Sequence, residues 1–176
     1  GVKINFPFIG LVVSGGHTDL IYVKDFNKYR NLGQTTDDAV GEAFDKAAKI
    51  LGLGYPGGPV IERLARKGNP DAIKFPRSLL EPGSLDFSFS GIKTAVLRYA
   101  QRYKTSSHVI LRSKATKNLK KEILRPFGAQ NDICNSNISD ICASFQEAVF
   151  SVIVEKSIRA CVLKKSKTLI VGGGVS

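Results

Sequence analysis

The 176 residues contain no methionine and no tryptophan, only two histidines, and only three cysteines. His17 and His108 have no second histidine at i+4 and no cysteine pair to support them, so the residues by themselves form no recognisable metal motif. Cys134, Cys142 and Cys161 are an odd number at spacings that fit neither a disulfide framework nor a C-x-x-C zinc pair, and they read as reduced, mostly buried thiols. No run approaches the ~18 apolar residues of a membrane span, and the N-terminus lacks the order of a signal peptide, so the expected setting is the cytoplasm, away from membrane. There is no G-x-S-x-G elbow and no Gly-Lys-Ser/Thr phosphate loop, which argues against serine hydrolases and P-loop kinases. The missing methionine, Gly1 at the start, and a strand-like run at 168–171 that meets three glycines near Ser176 are read as part of a longer protein. In an α/β chain such a strand and glycine turn leads into a helix.

The composition that remains is 43% hydrophobic and 23% charged, the profile of one ordinary domain or two small lobes. The net charge of +11 is uneven, because residues 102–125 hold eight Lys or Arg against Glu122 alone, a net +7. What is left resembles an ordinary enzyme surface, so overall basicity is weak evidence for nucleic-acid binding by the fold.

Apolar runs at 9–13 and 20–23, separated by Ser14 to Asp19, predict a β-hairpin with an amide-rich turn. Residues 38–51 place Ala39, Val40, Ala43, Phe44, Ala47, Ala48 and Leu51 at helical spacing, with Thr36 and Asp37 as candidate caps and Gly52 at the end. A Pro-Gly-Gly-Pro loop and a short helix over 60–67 follow. Residues 68–83 read as an irregular connection. Residues 86–90 alternate as an exposed-edge strand would, and Gly91 opens a helix through Tyr99. A long amphipathic helix over 139–163, capped by Ser139 or Asp140, leads to the final strand at 168–171.

Several residues are candidates for chemistry. Ser14, Gly15, Gly16, His17 and Thr18 form either a hairpin turn that needs positive φ or a concave nest of N–H groups suited to phosphate. Gly172, Gly173 and Gly174 are a second such loop, requiring a ligand or a very close packing contact. Two glycine loops after strands fit a nucleotide cleft better than one. Glu42 and Asp45 project from one side of their helix, either as a solvated face or bordering buried surface. Glu62, one turn after Gly57 and Gly58, is within reach of a ribose hydroxyl, although Pro-Gly-Gly-Pro also makes an ordinary loop.

Five motifs occur in order: Val12-Val13-Ser14-Gly15-Gly16-His17-Thr18, Asp37-Asp38-Ala39-Val40-Gly41-Glu42-Ala43-Phe44-Asp45-Lys46, Tyr55-Pro56-Gly57-Gly58-Pro59, Asp86-Phe87-Ser88-Phe89-Ser90-Gly91-Ile92-Lys93-Thr94 and Gly173-Gly174-Val175-Ser176. Together they closely resemble the TsaD family, the tRNA N6-adenosine threonylcarbamoyltransferases, formerly described as O-sialoglycoprotein endopeptidases or glycoproteases. The resemblance implies an α/β protein of the actin and Hsp70 ATPase type (ASKHA), present in part, with two lobes around a nucleotide cleft. It implies transfer of the threonylcarbamoyl group from threonylcarbamoyl-AMP to N6 of adenosine 37 in tRNAs that read codons beginning with A. Partners implied are tRNA, the adenylate or an ATP-type nucleotide, a TsaB-like paralogue and a TsaE-like ATPase. By motif, Val12, Val13, Ser14, Gly15 and Gly16 would line the phosphate and acyl part of the adenylate. Asp45, Gly58 and Glu62 would contact the nucleoside, with His17, Glu42, Gly173 and Gly174 as further candidates; no residue stands out as a general base.

The family's one divalent metal, iron or zinc, is held by an upstream H-x-x-x-H pair and a downstream aspartate, so no ligand to it is expected here. The reading is therefore of a central segment, inactive alone, in three parts: residues 1–102 with the glycine hairpin and nucleoside-contacting helices, a basic insertion at 103–135, and residues 136–176 returning to the nucleotide-binding lobe. The insertion could bind phosphate or be a solvated loop. Two other functions follow from the same resemblance: the metal-dependent endopeptidase of the older description, and a non-catalytic adenylate-binding scaffold.

Overall fold

The structure, a computed structural model, describes residues 4–78, 83–101 and 134–175. Strand β1 (Phe8–Val13) turns Ile9, Leu11 and Val13 to one buried face, as the two-residue period of a strand requires. It pairs antiparallel with β2 (Thr18–Asp25), Leu11 opposite Leu20 and Val13 opposite Thr18, so the expected hairpin is present.

β3 (Lys28–Gln34) pairs antiparallel with β2, and the sequence reading contains no strand there. Its residues are mostly exposed and show no apolar alternation, because it is a polar edge strand with little face to bury. On the opposite side of the sheet β4 (Leu169–Gly172) lies parallel to β1, with Val12 opposite Gly172. The order is β3-β2-β1-β4, a mixed sheet in an α/β protein.

Helix α1 (Val40–Leu51) buries Val40, Ala43, Phe44, Ala47, Ala48 and Leu51, the stripe read from the spacing, and stops where Gly52 takes the left-handed conformation at φ 73°. It begins later than the spacing predicts and has no side-chain cap from Thr36 or Asp37. Helix α2 (Gly57–Ala65) follows, and residues 90–101 form α3. Helix α4 (Cys134–Lys164) starts before the expected 139, which leaves Ser139 and Asp140 inside it. The work of Asp140 is tertiary instead of capping: it accepts the Asn69 N–H at 2.8 Å, and Ser144 one turn on accepts that of Ile73 at 3.1 Å, pinning the 69–73 segment to the helix.

Residues 86–90 do alternate, but Phe87 makes only an isolated parallel bridge to Thr35. Phe87 and Phe89 are core residues, 0% and 2% exposed, whereas the alternation predicts an exposed edge; the aromatic side chains turn inward and only the polar residues between them face out. The two phenylalanines join Val96, Ile141, Phe145 and Val149 between sheet and helices, and Phe44 meets Phe145 edge to face with centroids 5.0 Å apart. Cys142 is fully buried, and burial pushes its thiol up to about 12; Cys161 is half-buried, and both are free. The Cys134 side chain, His108 and most of the 103–135 insertion lie outside the described residues.

Candidate functional site

The turn between β1 and β2 is organised around one hydroxyl. Ser14 Oγ accepts the N–H groups of Gly16 at 3.3 Å and His17 at 3.0 Å, while Ser14 N–H donates to the His17 carbonyl at 2.9 Å. Neither Gly15 nor Gly16 has positive φ, so the turn does not need glycine for its backbone conformation. A Cβ at either position would meet nothing within 4 Å. These glycines leave exposed backbone open to approach from outside.

Helix α1 is seated directly on this turn. Its Val40 N–H donates to Thr18 Oγ1 at 2.9 Å and its Gly41 N–H to the Ser14 carbonyl at 3.2 Å, so two of the amides left unpaired at a helix start are satisfied by the hairpin. Thr18 is completely buried, and the sequence reading grouped it with the nest without assigning it this capping role. Gly41 must be glycine for a different reason from Gly15: a Cβ there would lie 2.8 Å from both Gly15 Cα and Ser14 O.

The second glycine loop arrives beside the first. Gly173, at φ 119°, crosses the end of β1 so closely that a Cβ would land on the Val13 carbonyl, and Val175 N–H then donates to that same oxygen at 3.1 Å. Of the two readings offered for the three glycines, close packing holds for Gly173, whereas Gly174 faces open space. Both loops thus leave the C-terminal ends of adjacent parallel strands.

Asp45 lies one helical turn beyond Gly41 on α1. Its Oδ1 accepts the N–H of Gly57, the first residue of α2, at 2.7 Å. A Cβ on Gly57 would lie 2.6 Å from Phe44 O, so that position is closely packed, while one on Gly58 would enter open space. Glu62, one turn farther along α2, is exposed and paired with Arg66 at 2.6 Å; Glu42 is paired with Lys46 at 2.7 Å. Val12 lies on the half-buried face of β1 and Val13 on the buried one. The structure therefore brings Val12 to Gly16, Gly173 and Gly174 to one end of the sheet, continues through Gly41 to Asp45 and Gly58, and leaves Glu42 and Glu62 in surface ion pairs.

Two connections escaped the sequence reading. Asp37, expected as a cap for α1, instead accepts Ser88 Oγ at 2.5 Å and Phe89 N–H at 2.8 Å, at the start of α3. Asp38 binds Lys46 of α1 at 2.5 Å and Lys93 of α3 at 3.0 Å. Burial opposes the ionisation of both carboxyls, but hydrogen bonds from Ser88 and Phe89 to Asp37, and from Lys46 and Lys93 to Asp38, hold them below the usual aspartate value. The second connection is Lys156 of α4, 1% exposed, whose ammonium donates to the carbonyls of Ser84 and Asp86 beneath the Phe87 ring. Burial draws its pKa below the usual lysine value. An acidic pair next to an aromatic-polar alternation was visible in the sequence; that one grips the other was not.

Among the described residues no three His, Cys, Asp or Glu side chains converge as a metal site requires, so the donor set does not fit the metal implied by the resemblance. No described helix is long and apolar enough to cross a membrane.

Glycine loops at the C-terminal ends of neighbouring parallel strands, one of them against a helix N-terminus, define an α/β protein whose glycine loops lie on the side of the sheet where open sheets of this class keep their ligand sites. The family model for TsaD, tRNA N6-adenosine threonylcarbamoyltransferase, matches residues 2–176, and the chain belongs to that family. Relatives carrying the same name are 50% identical over 171 residues in Clostridium kluyveri, 49% over 173 in Trichlorobacter lovleyi and 44% over 173 in Desulfitobacterium hafniense. These alignments take in 97–98% of this chain but 42–43% of each relative, so the chain spans about two fifths of the length of the curated relatives it matches.

Proposed function

We propose that the protein to which this chain belongs transfers a threonylcarbamoyl group from threonylcarbamoyl-AMP to N6 of adenosine 37 in tRNA, in the cytoplasm, and that this chain supplies the adenylate-holding loops. One observation carries the reading: Gly15 and Gly16 leave backbone open where the fold does not require glycine, directly on the start of α1. Gly16 and His17 N–H groups converge on Ser14 Oγ, so an adenylate oxygen would have to share them with that hydroxyl or take its place, close to the positive end of the helix. Val12 to Gly16 would line the phosphate and acyl part. Asp45 uses Oδ1 to hold Gly57, which leaves Oδ2 for a ribose hydroxyl beside the open Gly58. Glu62 would have to leave Arg66 to join it.

In the reaction the N6 amine attacks the carbamoyl carbon, a C–N bond forms, the C–O bond to phosphate breaks, and AMP departs with the electron pair as N6 loses a proton. Donors aimed at the phosphate favour that departure. The same reading carries the actin and Hsp70-type fold, the division into 1–102, 103–135 and 136–176, and a TsaB-like paralogue and TsaE-like ATPase as partners.

The test uses the full-length protein. Gly16→Val should leave the melting temperature within about 2 °C, since its side chain enters empty space, while weakening adenylate binding by roughly 1–3 kcal/mol; Asp45→Ala should weaken it by a similar amount. Wild-type affinity of both variants in calorimetric titration would refute the site.

A further inference from the structure

Outside residues 102–125 the chain carries a net charge of only +4, yet the fold gathers more than that at the end of the sheet opposite the glycine loops. Lys24, Lys28 and Arg30 lie where β2 ends and β3 begins, and the turn from α4 into β4 adds Lys164, Lys165 and Lys167. The two groups are neighbours. Ser166 Oγ donates to the Pro7 carbonyl at 3.1 Å, Ile9 N–H donates to the Thr168 carbonyl at 2.9 Å, and Lys164 Nζ stands 5.7 Å from the centre of the Tyr22 ring, which is paired with Arg30 across the strands. Six cations meet Asp25 alone, a net +5, while all other residues outside 102–125 together come to −1. Among the described residues none of the six pairs with a carboxylate. Lys165 takes φ 51° just past the end of α4, where glycine is usual, so a cation is kept at a position whose backbone favours another residue. Exposed rings lie among the charges: Tyr29 is 74% exposed, and Phe26, propped on Phe6 with centroids 5.0 Å apart, is 85% exposed.

We propose that this end of the sheet is a second docking surface for the RNA substrate, gripping backbone phosphates away from the target adenosine and offering Tyr29 and Phe26 to unpaired bases. The choice of RNA rests on the reading that the protein acts on tRNA. Unpaired ammonium and guanidinium groups are costly to bury, so they keep this end of the sheet in solvent, where a polyanion can reach it. Cations interleaved with exposed aromatic rings are the means by which proteins hold nucleic acid without reading its sequence, the phosphates supplying affinity and the rings a stacking platform. The spacing suits one long ligand. β1, six residues long, runs from this surface to the glycine loops, a span of about 20 Å at ~3.3 Å per residue. A nucleic-acid strand covers that distance in about six nucleotides, so a single RNA can place one nucleotide at the loops and its backbone on the cations. Contacts of this kind set register and orientation, which makes the six cations positioning residues and not catalytic ones.

The experiment uses the full-length protein and a fluorescently labelled tRNA transcript, with affinity measured by anisotropy from 50 to 200 mM salt. One variant combines Lys24→Gln, Lys28→Gln and Arg30→Gln, a second combines Lys165→Gln and Lys167→Gln, and a control removes the same charge from exposed positions elsewhere with Lys49→Gln, Lys67→Gln and Lys74→Gln. Each lost phosphate contact takes about 0.7–0.9 from the slope of log affinity against log salt, so the first variant should flatten the slope by about 2 and bind at least tenfold more weakly at 100 mM salt. The second should flatten it by about 1 to 2, and the control should match the wild type. Exchanging Lys24 and Lys28 for arginine should keep both slope and affinity, because the charge remains. In turnover, KM for tRNA should rise with kcat and adenylate affinity unchanged, a split that general loss of structure would not produce. Wild-type slopes in both charge-removal variants, with melting temperatures unaltered, would overturn the proposal. So would loss of binding to phosphatidylserine vesicles with tRNA binding intact, since the surface would then serve a membrane. The expected slopes together with no transfer by the wild type would uphold the docking surface and refute the proposed reaction instead.

Discussion

Gly173→Ala isolates the contact that places the second glycine loop on the end of β1. Gly173 sits at φ 119°, where a residue with a Cβ costs roughly 1–3 kcal/mol. The added methyl would also land on the Val13 carbonyl and lie 2.7 Å from its carbon, so the loop must lift and loosen the 3.1 Å bond from Val175 N–H to the same oxygen. Overpacking of this kind costs roughly another 1–3 kcal/mol. Together these come to about 2–6 kcal/mol, and at about 2–4 °C per kcal/mol for a domain of this size the melting temperature should fall by roughly 5–20 °C. Gly174→Ala is the matched control, since Gly174 has ordinary φ and nothing within 4 Å of its would-be Cβ, and it should shift the midpoint by less than about 2 °C. Thermal unfolding of both variants followed by far-ultraviolet circular dichroism decides the matter. Equal midpoints for the two variants would refute the reasoning that one glycine is there for packing and the other is not.

Two further outcomes test the seat of α1 and the acidic pair. Thr18→Val keeps the shape of the buried side chain but removes the acceptor for Val40 N–H, and it should cost about 1 kcal/mol in chemical denaturation, with Thr18→Ser retaining most of the stability. Asp38 has its pKa lowered in the folded state, so its stabilising contribution is complete above the unfolded value near 3.8 and is lost as pH falls through the lower folded value. Denaturation measured from pH 6 down to 2.5 should therefore show a steepening loss of stability below about pH 4 that Asp38→Asn flattens, and an unchanged slope in the variant would remove Asp38 from the account.

Much of the scaffold was legible because it depends on local periodicity. The hairpin, the buried stripe of α1 and the closing strand are each set by apolar residues at intervals of two or of three to four, with glycine at the stops. β3 was not legible, since an edge strand with exposed Lys28, Tyr29, Arg30 and Asn31 buries little and its sequence carries no pattern. The start of α4 is not legible because Asp140 is a capping type that serves the 69–73 segment instead. Motif order points to the family, and the glycines of both loops stand out in the sequence itself.

What the sequence determined alone was therefore the set of elements with strong periodicity, the family, and the identity of the residues worth watching. Tertiary structure decided what each of those residues does. Gly15, Gly16, Gly41 and Gly173 are the same residue type, yet two face open space and two are pressed against backbone, a distinction set by neighbours distant in the chain. Asp37 could cap either of two helices within reach, and it serves α3 because the Phe87 segment crosses beside it. Capping chemistry is local, but the choice of partner depends on which backbone amide the fold brings within about 3 Å, and that follows from packing of the whole core.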